Sequence, residues 1–188
     1  MDRNNAKLNR LLAKPLPALT WAEILEHVPP YGTMLELGVY QGQSFNEICA
    51  LVHPRLVHGF DWWRGLPEDW DDHGSAGLLN MHGVPPDCPD NGRWVIGLIR
   101  GTLPEFVDNH GEAAFVHFDM DVYTSTAEAL HYLKFLPGAI LVFDEIDGHP
   151  RNVNHEQKAF REWLSKTDHD FEILGSRHPE SWVIRLLT

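Results

Sequence analysis

The sequence predicts an α/β fold: a doubly wound, seven-stranded sheet of order 3-2-1-4-5-7-6, with the last-paired strand antiparallel and helices on both faces. Three observations carry this. Short apolar runs that stop at Gly or Asp alternate with segments of helical apolar spacing from residue 33 to 167. All but one of the links between them are short, as in successive βαβ units. The last two apolar runs are joined by GSRHPES, residues 175–181, which holds no helix, so they pair antiparallel at a sheet edge.

The elements follow in order. Residues 1–19, polar and then punctuated by Pro15 and Pro17, read as an N-terminal arm, flexible or docking, ahead of a domain over 20–188. Thr20 with Glu23 forms a capping box for a short helix that ends before Pro29, Pro30 and Gly32. Thr33–Leu37 is a buried strand stopping at Gly38. Phe45, Ile48, Cys49 and Val52 then fall at i, i+3, i+4 and i+7, one buried helix face over 43–52. Residues 56–60 form the second strand, stopping at Asp61. Strands at 94–99, 113–118 and 139–143 alternate with helices at 102–110, 124–136 and 154–164, and two late strands lie at 171–174 and 182–187.

Residues 62–92 break the rhythm. They are rich in Gly, Pro and Asp and hold Trp62, Trp63 and Trp70. A connection this long inside a compact fold reads as a lid with contacts to make.

Composition bounds the function. The 188 residues suffice for one domain. Fifteen Lys and Arg against 27 Asp and Glu give a net charge of −12, which disfavours nucleic acid and anionic membrane as partners. Cys49 and Cys88 match neither a disulfide framework nor a zinc spacing. The basic N-terminus lacks an apolar core and a cleavage site of signal-peptide type, so the expectation is a cytoplasmic domain without a membrane span.

Two constellations point to chemistry. In an open α/β sheet, ligands sit outside the carboxyl ends of the strands, at the switch point, here between strands one and four. Glu36-Leu-Gly-Val-Tyr-Gln-Gly42 is a Gly-poor nucleotide-binding turn with Tyr40 at the middle Gly position. That disfavours a diphosphate and leaves a nucleoside. Asp61, 25 residues after Glu36, stands where a ribose hydroxyl is bound. The competing reading is two turn glycines and a surface Asp. Asp119, Asp144 and Glu145 end two strands expected to lie about 5 Å apart. Three carboxylates there repel unless a cation such as Mg²⁺ joins them. Removal of Asp144 is then expected to relieve repulsion. The competing reading makes Asp119 and Asp121 helix caps and leaves Glu145 in solvent. His149 and His155 follow the acidic pair and are candidates for the substrate or base role. His117, inside a strand, is expected to face away.

The segments LELGVYQGQS (35–44), GFDWWRGLPEDW (59–70), GTLPEF (101–106), HFDMDVYTST (117–126) and PGAILVFDEID (137–147) resemble a class I S-adenosylmethionine-dependent methyltransferase of the macrocin O-methyltransferase (TylF-like) family. The resemblance spans about 30 to 175 and implies a Rossmann-like sheet. It also implies transfer of methyl from S-adenosylmethionine to a hydroxyl of a small molecule, a sugar or natural product, with a divalent ion, usually Mg²⁺. Under it Glu36, Gly38, Gly42, Ser44, Asp61 and Trp62 bind the cofactor, and Asp119, Asp144 and Glu145 hold the metal. Asp119 or His149 takes the proton. The chain has Gly101 where the family commonly has an acidic residue, and Glu145 where many members have Asp. A phenol or catechol acceptor, an NAD(P)-binding oxidoreductase and a non-catalytic nucleoside-binding module are the alternatives, and a homo-oligomer stays open.

Overall fold

The computed structural model describes residues 3–71, 74–148 and 152–188. Its elements are α1 (Arg3–Leu12), α2 (Trp21–Leu25), β1 (Thr33–Leu37), α3 (Gln43–Val52), β2 (Val57–Asp61), β3 (Gly92–Ile96), α4 (Ile99–His110), β4 (Ala113–Phe118), α5 (Tyr123–Tyr132), β5 (Phe135–Phe143), α6 (Glu156–Leu164), β6 (Phe171–Gly175) and β7 (Trp182–Leu186). The seven strands form one sheet in the order β3-β2-β1-β4-β5-β7-β6. The first five pair in parallel, and β7 runs antiparallel to both β5 and β6. Order and reversal are those expected from the sequence.

Strand alternation splits the core into two layers. Leu35 and Leu37 of β1, Val116 and Phe118 of β4, and Leu141 and Phe143 of β5 face α4, α5 and α6. Met34, Phe115, Ile140 and Val142 face α2 and α3, where Trp21, Ile24, Phe45 and Ile48 cover them. Each such side chain, fully buried, contributes about 1.5–3 kcal/mol of apolar transfer. Period two also puts Glu36 of β1 and His117 of β4 on the α2–α3 side, and both are fully buried there.

Some boundaries differ from the sequence reading. The arm contains α1, with Leu8 buried and Leu11 and Leu12 packed beside it. The amides of Asn4 and Asn5 donate to the carbonyls of Leu164, Thr167 and Arg161, which fastens α1 to the end of α6. Helix α5 stops at Tyr132 rather than at 136, and β5 begins at Phe135, because Phe135 pairs with Ala113 before the register shifts. The capping box at α2 is present: Thr20 Oγ1 accepts from Glu23 N–H and Glu23 accepts from Thr20 N–H. Strand β3 takes the last residue of the 62–92 stretch; the described residues of 62–91 carry no named strand or α-helix, but isolated bridges join Arg64 to Asn80 and Trp70 to Gly74.

Candidate functional site

A cleft opens at the carboxyl ends of β1, β2 and β4. The turn after β1 supplies Gly38, Val39 and Tyr40, β2 and its end supply Phe60, Asp61 and Trp62, and the β3–α4 link supplies Gly97 and Leu98. The turn after β4 supplies Asp119, Met120 and Asp121, with Ser125 behind it, and the insert adds Leu66, Pro67 and Leu79.

The turn after β1 is shaped by close approach. Gly38 has φ +86°, and a Cβ there would lie 1.7 Å from the carbonyl oxygen of Asp119. Only glycine permits this crossing of the β1 and β4 ends. Tyr40 is left-handed as well, at φ +48°. It is held by its N–H, which donates to Asp61 Oδ2 at 2.9 Å, and by its carbonyl, which accepts from Trp63 Nε1 at 2.8 Å. Asp61 is the organiser of this wall. It also accepts from Val39 N–H at 3.0 Å and, on Oδ1, from Trp63 N–H at 2.7 Å. A carboxylate offers about four acceptor positions, so one remains for a ligand hydroxyl.

Of the residues predicted to bind a cofactor, Gly38, Asp61 and Trp62 line the cleft. The Trp62 indole N–H donates to the Gly65 carbonyl. Glu36 lies behind the cleft, fully buried, and accepts from Ser44 Oγ at 2.8 Å. Gly42, with φ +78°, is the N-cap of α3. Gly38, Asp61, Trp62 and Asp119 are therefore brought together, whereas Glu36, Gly42 and Ser44 support them from beneath.

The acidic group has a different arrangement from the one expected. Asp144 faces basic side chains of the chain itself: Oδ1 is 3.0 Å from His178 Nε2, 3.5 Å from His117 Nε2 and 3.7 Å from Arg177 Nη2. His117 in turn has Nδ1 3.4 Å from Glu36 Oε2. Burial opposes a charge on His117, but Asp144 and Glu36 beside it push the imidazole up to about 10. Burial alone would raise Asp144, and His117 and His178 instead hold it well below the usual carboxylate range. Burial pushes Asp119 up to about 7, with His117 opposing and Asp144, Glu36 and Glu145 adding. Burial and then Asp144 and Glu180 push Glu145 up to about 7. Asp121 is raised well above its usual value by burial and then by Asp119 and Glu145.

The expectation of an Mg²⁺ held by Asp119, Asp144 and Glu145 finds no support in this arrangement. The repulsion that called for an ion is met by His117, His178 and Arg177, and Asp144 points at them. Among the described residues, no group of three His, Cys, Asp or Glu side chains is arranged to hold a metal ion. As placed, these carboxylates do not fit the ion.

His149 lies outside the described residues. His155 precedes α6 and is buried; its Nδ1 accepts from Tyr123 N–H at 3.3 Å, and its Nε2 lies 3.3 Å from Asp71 Oδ2. Both ring nitrogens thus face protein groups. The sequence marks Asp121 only as a candidate helix cap. It is a buried residue of the cleft wall in a left-handed turn, at φ +66°. Arg177 and His178 carry no such sequence signal, and His117, expected to face away, is buried between Glu36 and Asp144. For His117 a signal existed in its shared parity with Phe115, an apolar inward residue.

No family model matches the chain, and no curated protein matches it in sequence. Solved structures do resemble it. CalS11, a calicheamicin methyltransferase, is 20% identical over 98% of this chain and 80% of its own, with a TM-score of 0.69. An apo structure of CalS11, described as a TDP-rhamnose 3′-O-methyltransferase, gives 0.62 at 20% identity over 96% of this chain and 80% of that one. The O-methyltransferase NovP is 23% identical over 88% of this chain and 74% of its own, at 0.64. Human N-acetylserotonin methyltransferase in complex with S-adenosylmethionine is 16% identical over 89% of this chain and 49% of its own, at 0.51. At these identities the likeness is one of fold: this chain has the seven-stranded, Rossmann-like fold of the S-adenosylmethionine-dependent methyltransferases.

Proposed function

We propose that this chain is an S-adenosylmethionine-dependent O-methyltransferase whose acceptor is a hydroxyl of a small molecule, a sugar or natural product. One observation carries the reading. A single cleft joins the Gly38–Tyr40 turn and Asp61, suited to a nucleoside and its amino-acid tail, to the Asp119–Asp121 turn, suited to a hydroxyl. The likeness to CalS11, a TDP-rhamnose 3′-O-methyltransferase, and to the O-methyltransferase NovP supports the same chemistry.

The residues fit the cofactor. The crossing at Gly38 brings two strand ends against each other, and the turn after it lines the cleft. Asp61 has one acceptor position to spare for a ribose hydroxyl, and Trp62 and Leu98 offer apolar surface beside it. When bound, the cofactor supplies an activated methyl group on a cationic sulfur. The chain supplies position, exclusion of water and a proton acceptor. Asp119 suits the last role. Its carboxyl is pushed up to about 7, so near neutral pH it is partly ionised and basic enough to take a hydroxyl proton. Asp121, beside it on the cleft wall, has its carboxyl raised well above the usual range by burial, which favours the protonated form able to donate to the acceptor. The divalent ion that the sequence resemblance adds takes no part in this scheme, since Asp144 is engaged with His117, His178 and Arg177.

The test is incubation with S-adenosylmethionine and a panel of glycosides and phenols, read by mass spectrometry, with calorimetric titration of S-adenosylmethionine and NAD alongside. The expected result is binding of S-adenosylmethionine and not NAD, and gain of one methyl on a hydroxyl acceptor. Preference for NAD would overturn the reading.

A further inference from the structure

We infer that Glu68 is a positioning residue for the proposed transfer, tying the insert that walls the cleft to the turn that carries Asp119 and Asp121. Helix α5 starts directly after that turn, and its N-cap, Val122, makes no side-chain cap bond. Val122 is fully buried and serves the core instead. The cap comes from 56 residues earlier in the chain: one Glu68 carboxylate oxygen accepts from Thr124 N–H at 2.9 Å, and the other from Thr124 Oγ1 at 2.8 Å. An anion at a helix N-terminus, bonded to a backbone N–H, is a favourable and directional contact. A Ser or Asp at position 122 would cap the helix locally, so what the remote carboxylate adds is the link itself.

The link spans the cleft. Leu66 and Pro67, immediately before Glu68, line it from the insert, and Asp121 and Ser125, flanking Thr124, line it from the other side. A second tie runs parallel to the first. Asp71 of the insert accepts from Asn154 Nδ2 at 3.2 Å and lies 3.3 Å from His155 Nε2. The His155 ring also accepts from Tyr123 N–H, one residue before Thr124. The start of α5 is therefore the place where the insert grips the second half of the sheet. Loss of Glu68 frees the wall while the sheet and its core remain as they are.

This inference rests on reading the cleft as the cofactor site. The full chain is compared with E68A and E68Q for S-adenosylmethionine affinity by calorimetry, for proteolytic cleavage within 62–92 without ligand, and for thermal unfolding. The expected result for E68A is affinity weaker by about tenfold or more, the scale of one charged hydrogen bond. Cleavage of the insert is faster than in the parent. E68Q, whose amide oxygen still accepts the Thr124 N–H, recovers part of both and carries the test if E68A does not fold. Unchanged cleavage overturns the tie. Faster cleavage with unchanged affinity reduces Glu68 to a structural cap and overturns the positioning role. If the parent itself fails to bind S-adenosylmethionine, the cofactor reading fails, while the cleavage comparison, which needs no ligand, still decides the tie.

Discussion

The carbonyl oxygen of Asp119 occupies the space into which a side chain at Gly38 would grow, 1.7 Å from the position of its Cβ. Two strand ends are thereby locked together under the cleft. Gly38→Ala should destabilise the protein by about 2–5 kcal/mol, combining a left-handed backbone penalty with overpacking. It should also abolish S-adenosylmethionine binding. Denaturant unfolding and calorimetry measure the two effects, and a parent-like midpoint would show that the crossing relaxes at little cost.

Asp61 has a larger task than ribose binding. Asp61→Ala leaves the N–H groups of Val39, Tyr40 and Trp63 without their acceptor, a loss of about 1–3 kcal/mol of stability. Cofactor affinity should fall about 10–150-fold. A variant with parent affinity would remove Asp61 from the site.

Asp144 is a counter-ion, and this reverses the sign expected from the sequence. Asp144→Asn takes one carboxylate from the buried His117 imidazole and should cost about 3 kcal/mol rather than relieve repulsion. Unfolding of the purified variant decides between the signs: a gain in stability would restore the view that the carboxylates repel unopposed.

The pH dependence follows from the same pair. The folded-state value of His117 is raised from 6.5 to about 10, so its stabilisation is complete below about 6.5 and is lost as pH rises toward 10. Asp119 and Glu145 are raised to about 7, so their ionisation lowers stability as pH climbs from about 4 to 7. Thermal midpoints should therefore decline across pH 4 to 10, and nitrogen NMR should find the His117 ring still protonated at pH 8. A neutral ring at that pH would contradict the arrangement.

Methyl transfer should persist in EDTA, because Asp144 is already engaged by His117, His178 and Arg177. Activity that vanishes on chelation and returns with Mg²⁺ would show that Asp144 leaves these partners for an ion.

The sheet was legible because its signals are local. Short apolar runs ending at Gly38, Asp61 and Asp119, and a helix-free GSRHPES link, are enough to order the strands and reverse β7. Helix α1 was not legible as a helix: Leu8, Leu11 and Leu12 fall at i, i+3 and i+4, but polar neighbours make the segment read as an arm. The site was only half legible. Glu36, Gly38, Asp61 and Asp119 sit at strand ends, where position alone marks them. What faces Asp144 depends on pairing between distant segments: His117 from β4 and Arg177 and His178 from the β6–β7 link. Asp144 and Glu36 outweigh burial in holding a proton on His117, and no spacing in the chain reports it. The grip of Glu68 on Thr124 is equally non-local.

Strand β7 runs against both its neighbours, so the β6–β7 link comes to the same end of the sheet as the termini of β1, β4 and β5. Arg177 and His178 ride on that link, and Arg177 also lies over the Trp21 ring at 5.0 Å. The reversed strand thus acts as an address: it delivers a short, exchangeable turn to the acidic end of the sheet without disturbing a buried strand. A change at Arg177 or His178 would retune the charge beside Asp144, giving one scaffold a range of electrostatic settings from a link outside the strands.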